Sequence, residues 1–255
     1  KEVFDTTPYT ILVVDDNPDM TDFLKRTFEG YFKRIIIAGD GVEALQLVRS
    51  HVPDIIVSDV MMPRMNGYKL CKTIKEDINI SHIPVILLTA RDDRQSQISG
   101  YKNGADGYLS KPFEVEMLME LIRNRLKNRE YTKKRYLNAG LIPTPEESTI
   151  SLTDETFLIK LNSIIQENIE NSNLGIQFIC QEVGLGRSSL YNKLKALTGM
   201  GANEYISKLR IEKAITLISG TDMPFSEIAE KTGFTTPSYF STAFKQYTGE
   251  TPSQY

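Results

Sequence analysis

Four short apolar runs, each stopping at a charged or hydroxyl residue, constrain this chain more than any other feature. Thr10–Val14, Ile55–Ser58, Pro84–Leu88 and Gly107–Ser110 stop at Asp15-Asp16, Asp59, Thr89 and Lys111 respectively. Runs this short, separated by helical patterns, read as buried strands of a parallel sheet with helices on both faces. The carboxyl ends of neighbouring parallel strands open on one crevice, so these five residues are expected to meet there. Three carboxylates that close raise one another's pKa unless a cation joins them. With Mg²⁺ they form a hard-oxygen site, and the hydroxyl and Lys111 can hold a phosphoryl group on the metal. The chemistry implied is phosphoryl transfer with one carboxylate as acceptor.

At 255 residues the chain is long enough for two domains, each with its own core. No apolar run approaches the roughly 18 residues of a membrane span, and no cationic-then-apolar signal opens the sequence. The chain begins at Lys1, which points to a segment of something larger. Cys71 and Cys180 fall in different expected domains and within helical patterns. They read as buried small hydrophobes rather than a disulfide, which implies a reducing, cytoplasmic compartment. Net charge is −3, and from Leu174 onward eight Lys/Arg face seven Asp/Glu. Any nucleic-acid contact must therefore come from the local placement of charge.

Four divisions are expected. They are an N-terminal extension (1–8), an α/β domain (9–129), a linker with an amphipathic helix (130–173) and an all-helical domain (174–255). In the first half, Asn17-Pro18 reads as an N-cap with proline at the first helical position. A strand from Arg34 to Ala38, a helix near Val42–Ser50, and a helix entered through Asn66-Gly67 and ending near Asp77 follow. Asp92 is placed to cap a further helix. The next begins near Glu114, with Met117, Leu118, Leu121, Ile122 and Leu126 on one stripe. Seven basic residues lie between Arg123 and Arg135, beside Tyr131 and Tyr136. They form either a phosphate-contacting or coupling helix or a solvated extension of the preceding one, and the extension is expected. Leu141–Ser148 reads as an extended linker. Beyond Thr153, two helix-turn-helix units joined by one long helix, about Asn203–Ser219, account for the pattern.

Residues 9 to 129 resemble the receiver domain of two-component response regulators. The motifs are Val14-Asp15-Asp16-Asn17, the run from Ser58-Asp59 through Pro63 to Gly67, Thr89-Ala90, and Lys111-Pro112-Phe113. The resemblance implies a flavodoxin-like five-stranded doubly wound sheet. It implies that Asp59 is the phosphoacceptor and that Asp16, Asp59 and the Met61 carbonyl bind Mg²⁺, with Asp15 nearby. Thr89, Ala90, Tyr108 and Lys111 would bind the phosphoryl group and carry the switch, Tyr108 reading otherwise as a plain surface aromatic. Lys111-Pro112 is a cis candidate. Met61 and Arg91 flank the mouth, and slow autodephosphorylation is expected if they obstruct water. His51 and His82 read as loop or surface residues, so the phosphoryl donor, a histidine kinase, lies elsewhere.

Residues 174 to 255 resemble the DNA-binding domain of AraC/XylS-type transcription factors. The resemblance rests on Arg187–Leu194, Leu197-Thr-Gly199, Glu227-Ile-Ala229, Gly233-Phe234, Ser238-Tyr-Phe240, Phe244-Lys245 and the closing Gly249–Tyr255. Gly186 stands where serine commonly caps the helix. The residues alone agree: Leu190, Leu194 and Leu197 form a buried stripe, leaving Arg187, Ser188, Tyr191, Asn192 and Lys195 outward. In the second unit Phe240 and Phe244 face inward, and Ser238, Tyr239, Ser241, Thr242 and Lys245 are the exposed candidates. Arg187 can read guanine and Asn192 adenine, while a serine or lysine there holds phosphate as readily as it reads a base.

The expected protein is a non-enzymatic, phosphorylation-activated transcription factor that dimerises and binds double-stranded DNA without membrane contact. Receiver and output in this order are similar to the cytoplasmic end of hybrid two-component sensors. Two rivals remain. One is a Mg²⁺-dependent phosphatase with Asp59 as nucleophile, in which Met61 occupies the place of the usual second carboxylate. The other is a regulator that acts through protein contacts alone.

Overall fold

The computed structural model describes residues 3–90, 104–138 and 151–255. The chain divides into two compact units, residues 1–133 with 145–154, and residues 134–144 with 155–255. The expected helix after Asp92, Arg91 and the Leu141–Ser148 linker lie outside the described residues.

The first unit is built on β1 (Thr10–Val14), β2 (Arg34–Ala38), β3 (Ile55–Asp59), β4 (Val85–Ala90) and β5 (Gly107–Lys111). All pairings are parallel, in the order β2-β1-β3-β4-β5. The chain leaves β1 toward one edge and returns past it to β3, so the crevice for a ligand opens where the order reverses. Helices α1 (Pro18–Phe28), α2 (Gly41–His51), α3 (Gly67–Glu76) and α4 (Val115–Asn138) connect or follow the strands. Alternation along each strand feeds two cores. Ile11, Val13, Ile55 and Val57 pack with Leu24 and Phe28 of α1 and with Leu118, Ile122 and Leu126 of α4. Leu12, Val14, Ile56 and Leu87 pack with Ala44 and Val48 of α2 and with Leu70 and Ile74 of α3.

Caps fix where the helices start. The Asn17 side chain accepts Asp19 N–H, with Pro18 at the first helical position. The Asp40 and Asn66 side chains cap α2 and α3 in the same way. The α4 stripe differs from expectation at one place: Met117 is exposed, and Met119 takes the buried position. The basic run 123–135 does continue α4, but it is not wholly solvated. Arg129 donates to the Asp54 carbonyl at 3.1 Å, and Tyr136 is buried. His82 lies in the loop between α3 and β4, as expected, and is buried there, whereas His51 is exposed. Cys71 is buried in α3, where burial pushes its thiol up to about 12.

Helices α5 (Leu152–Glu167), α6 (Ile176–Val183), α7 (Arg187–Thr198), α8 (Ala202–Gly220), α9 (Phe225–Lys231) and α10 (Pro237–Thr248) follow. The α6–α7 and α9–α10 pairs are helix-turn-helix units joined by α8. Both second helices end alike. Gly199 and Gly249 are left-handed, and each donates its N–H to the lysine four residues back. Thr198 and Thr248 Oγ1 donate to the carbonyls of Leu194 and Phe244 at 2.8 and 2.9 Å. In the second turn, Gly233 has φ 73°, and a Cβ there would stand 2.2 Å from Ile169 O. Glycine is therefore required at this position on two counts.

Candidate functional site

The register delivers the first site from the strand ends. Val14 pairs with Ser58, so Asp15 stands beside Asp59, and Ala90 pairs with Lys111 at the end of β5. The Lys111 ammonium lies 2.5 Å from Asp59 Oδ1 and 2.8 Å from Asp15 Oδ2. Both carboxylates are buried, while Asp16 and Ala90 are exposed. Burial raises the Asp59 carboxyl above its ordinary value, the Lys111 hydrogen bond and charge opposing and the Asp15 charge adding. Burial by itself would lower Lys111. Its hydrogen bonds to Asp15 and Asp59 outweigh that and hold its pKa above the ordinary value.

One ammonium shared by two buried carboxylates leaves the pocket short of positive charge. Among the described residues, no three acidic, Cys or His side chains gather closely enough to hold a metal by themselves. The fit to Mg²⁺ rests instead on the donor chemistry, hard oxygens around a charge deficit, with Asp15, Asp16, Asp59 and the Met61 carbonyl as candidate ligands. Met61 N–H donates to Asp59 Oδ2 at 2.9 Å, while its side chain is largely exposed. At the entry to α3, a Cβ on Gly67 would stand 2.2 Å from Asp59 O. Only glycine lets the helix start this close behind the acceptor.

Thr89 is fully buried at the end of β4, and its hydroxyl has no hydrogen-bond partner among the described residues. A buried hydroxyl left unmatched is unfavourable and asks for an explanation; a phosphoryl oxygen arriving at Asp59 would supply its partner. Tyr108 is half-buried against the core on the α2–α3 side, not a plain surface aromatic. Lys111-Pro112 is cis.

In the second unit Arg187, Ser188, Tyr191 and Lys195 of α7 are exposed and Asn192 is half-buried. Ser238, Tyr239, Thr242 and Lys245 of α10 are exposed and Ser241 is half-buried. Leu190 and Leu194, like Phe240 and Phe244, point into the core. Lys193, though basic and on α7, is buried with its ammonium 5.1 Å from the Phe157 ring centroid. The two faces differ in chemistry. That of α7 offers a guanidinium and an amide, both able to form paired hydrogen bonds to a base, whereas that of α10 offers mostly hydroxyls. Gly186 caps α7 without a side-chain bond, but Thr236 caps α10 by accepting Tyr239 N–H at 3.2 Å. The motifs did not single out Arg64 and Asp40, an ion pair behind the acceptor loop.

Residues 11–123 match the family model described as response regulator receiver domain, and residues 179–255 match the one described as helix-turn-helix domain. Response regulator MprA of Mycobacterium sp. (strain KMS) is 36% identical over 60% of this chain and 70% of its own length. The chain belongs to the response regulators. The receiver domain and the helix-turn-helix domain follow one another in this order along the chain. Histidine kinase P4 of Formosa agariphila is 41% identical over 96% of this chain, which spans 18% of that protein. The receiver domain of Francisella response regulator 1452 is 38% identical, covering 47% of this chain and 98% of its own, with a TM-score of 0.43. No helix among the described residues of this response regulator is long and apolar enough to cross a membrane.

Proposed function

We propose that this response regulator receives a phosphoryl group on Asp59 from a histidine kinase, on a separate chain or in the same parent chain, and converts it into DNA recognition. One observation supports this above the others: an acceptor carboxylate, a cation and a hydroxyl without a partner among the described residues, carried on three strands, share one crevice. Asp59 oxygen attacks the phosphorus of a phosphohistidine, the P–N bond breaks, and the imidazole leaves. Bound Mg²⁺, held by Asp15, Asp16, Asp59 and the Met61 carbonyl, would neutralise charge developing on the phosphoryl oxygens. Lys111 moves its ammonium from carboxylate to phosphoryl oxygen, and the Thr89 hydroxyl donates to another. With Thr89 drawn toward the acceptor, Tyr108 turns further inward beside Ala90. The new dianion biases a two-state element in this way.

In this reading the receiver spans 9–129, the output domain 174–255, and residues 130–173 join them. The phosphorylated protein dimerises in the cytoplasm and sets α7 and α10 into successive major-groove segments of double-stranded DNA, roughly 34 Å apart. The chain's own turnover is limited to taking up and losing its phosphoryl group.

Fluorescence anisotropy on a pool of genomic fragments, with and without beryllofluoride–Mg²⁺, tests the proposal in wild type and Asp59→Ala. Tighter, selective binding only in treated wild type is expected. Equal binding in every sample would refute gating by the receiver.

A further inference from the structure

The loop behind the acceptor, residues 60–66, contains a backbone outlier. Arg64 has φ 60°, in the left-handed region that side chains other than glycine rarely occupy. Such backbone persists where surrounding contacts over-determine it, and it concentrates at functional sites. Here the contacts come from the start of α2. Arg64 Nη2 donates to Asp40 Oδ2, and Gly41 N–H donates to Met65 O at 3.2 Å. Asp40 is buried, while the Arg64 side chain is largely exposed. The other Asp40 oxygen already caps α2, accepting Val42 N–H at 2.8 Å and Glu43 N–H at 3.1 Å. The guanidinium thus supplies the cation for a buried carboxylate from a side chain that reaches in from solvent.

The ends of the same loop are fixed independently. Val60 N–H donates to Leu88 O and Gly67 N–H to Val60 O, each at 3.0 Å. Between these ends Met61 N–H meets Asp59 Oδ2. The middle of the loop is held at Asp40 and Gly41.

We infer that Arg64 is a positioning residue for the phosphoacceptor. Its pairing with Asp40 holds the 60–66 loop so that the Met61 backbone stays aimed at Asp59, and losing the pair weakens Mg²⁺ binding and slows phosphoryl uptake together. The guanidinium is committed to Asp40, so it acts through the loop and not by touching the phosphoryl group. This inference rests on the metal-and-acceptor reading of the site.

The test measures Mg²⁺ binding by isothermal titration calorimetry on the whole chain, beside melting without Mg²⁺ and phosphorylation by acetyl phosphate. The proteins are wild type, Arg64→Gly, Arg64→Lys, Asp40→Asn and the Arg64→Gly/Asp40→Asn double variant. Asp40→Asn keeps an oxygen for the α2 cap but removes the charge. Glycine relieves the left-handed strain but leaves the buried Asp40 carboxylate without its cation, so Arg64→Gly should melt at or somewhat below wild type. Its Mg²⁺ Kd should rise about fivefold, with slower uptake, the scale of coupling expected for one contacting pair. Arg64→Lys should recover part of the affinity, and the double variant should be no worse than Arg64→Gly. An unchanged Kd in Arg64→Gly, or a Kd that tracks only lost melting temperature, would overturn the inference alone. If wild type shows no Mg²⁺ response, the metal reading falls and the inference falls with it.

Discussion

The Lys111 ammonium lies 2.5 Å from Asp59 Oδ1 and still leaves the Asp59 carboxyl harder to ionise than an ordinary aspartate. Burial and the neighbouring Asp15 outweigh the pair, because one cation serves two buried carboxylates. The consequence for stability has a definite sign. A carboxyl whose folded pKa is raised contributes stability at low pH, and that contribution is lost as pH rises through its folded pKa. Ionised Asp59 therefore opposes folding at neutral pH when no metal is present.

Asp59→Asn removes that charge and leaves Lys111 paired one-to-one with Asp15. It should stabilise the Mg²⁺-free protein by about 1–2 kcal/mol at pH 7, with a gain that shrinks as pH falls toward the carboxylate range. Mg²⁺ should raise the melting temperature of wild type and barely move Asp59→Asn, since only a ligand that binds the folded state stabilises it. Thermal melts at pH 7 and pH 4, with and without Mg²⁺, check both halves. A variant less stable than wild type at pH 7 without Mg²⁺ would contradict the account.

The buried Thr89 hydroxyl, without a partner among the described residues, leads to a substitution with opposite effects on stability and signalling. Thr89→Val keeps the shape and removes the unmatched polar atom. It should leave resting stability unchanged or raise it by about 1 kcal/mol. The same variant should lose most of the beryllofluoride-dependent gain in DNA affinity, while Thr89→Ser retains it. Denaturant melts and anisotropy on the three proteins decide the matter.

The strand ends were legible in the sequence because a parallel sheet leaves little freedom once its apolar runs are found. Asp15, Asp59 and Lys111 meet as their runs implied. The helix stripes were less legible. Exposed Met117 and buried Met119 have the same side chain two residues apart, and only the rotation of α4 on the sheet separates them. The burial of His82 within its loop was not legible, because a loop position carries no period to read. The Arg64–Asp40 pair was invisible because it depends on a left-handed backbone that arginine does not advertise.

Gly67 has no conformational peculiarity; its importance is proximity. An alanine Cβ would stand 2.2 Å from the Asp59 carbonyl oxygen, so either α3 or the end of β3 must move. Gly67→Ala should destabilise the receiver by about 2–3 kcal/mol, in the range of overpacking. Phosphorylation by acetyl phosphate should fall further than stability predicts, because the displaced group is the acceptor's own backbone. Urea melts paired with phosphorylation rates, compared against Gly39→Ala as a surface control whose Cβ would meet only the Glu43 side chain at 3.5 Å, separate the two effects.

On DNA, the two recognition faces should fail in different ways. Arg187, at the start of α7, can make paired hydrogen bonds to a guanine edge; Lys245, in the last turn of α10, offers a point charge. Arg187→Ala should cost about 1–3 kcal/mol on the preferred site and relax the base preference at one position. Lys245→Ala should weaken preferred and scrambled sites alike and reduce the slope of log K against log salt by about 1. Titrations at several salt concentrations on both DNAs separate these outcomes. If Lys245→Ala relaxes base preference while Arg187→Ala does not, base reading belongs to the second unit and the division of chemistry between the two helices is wrong.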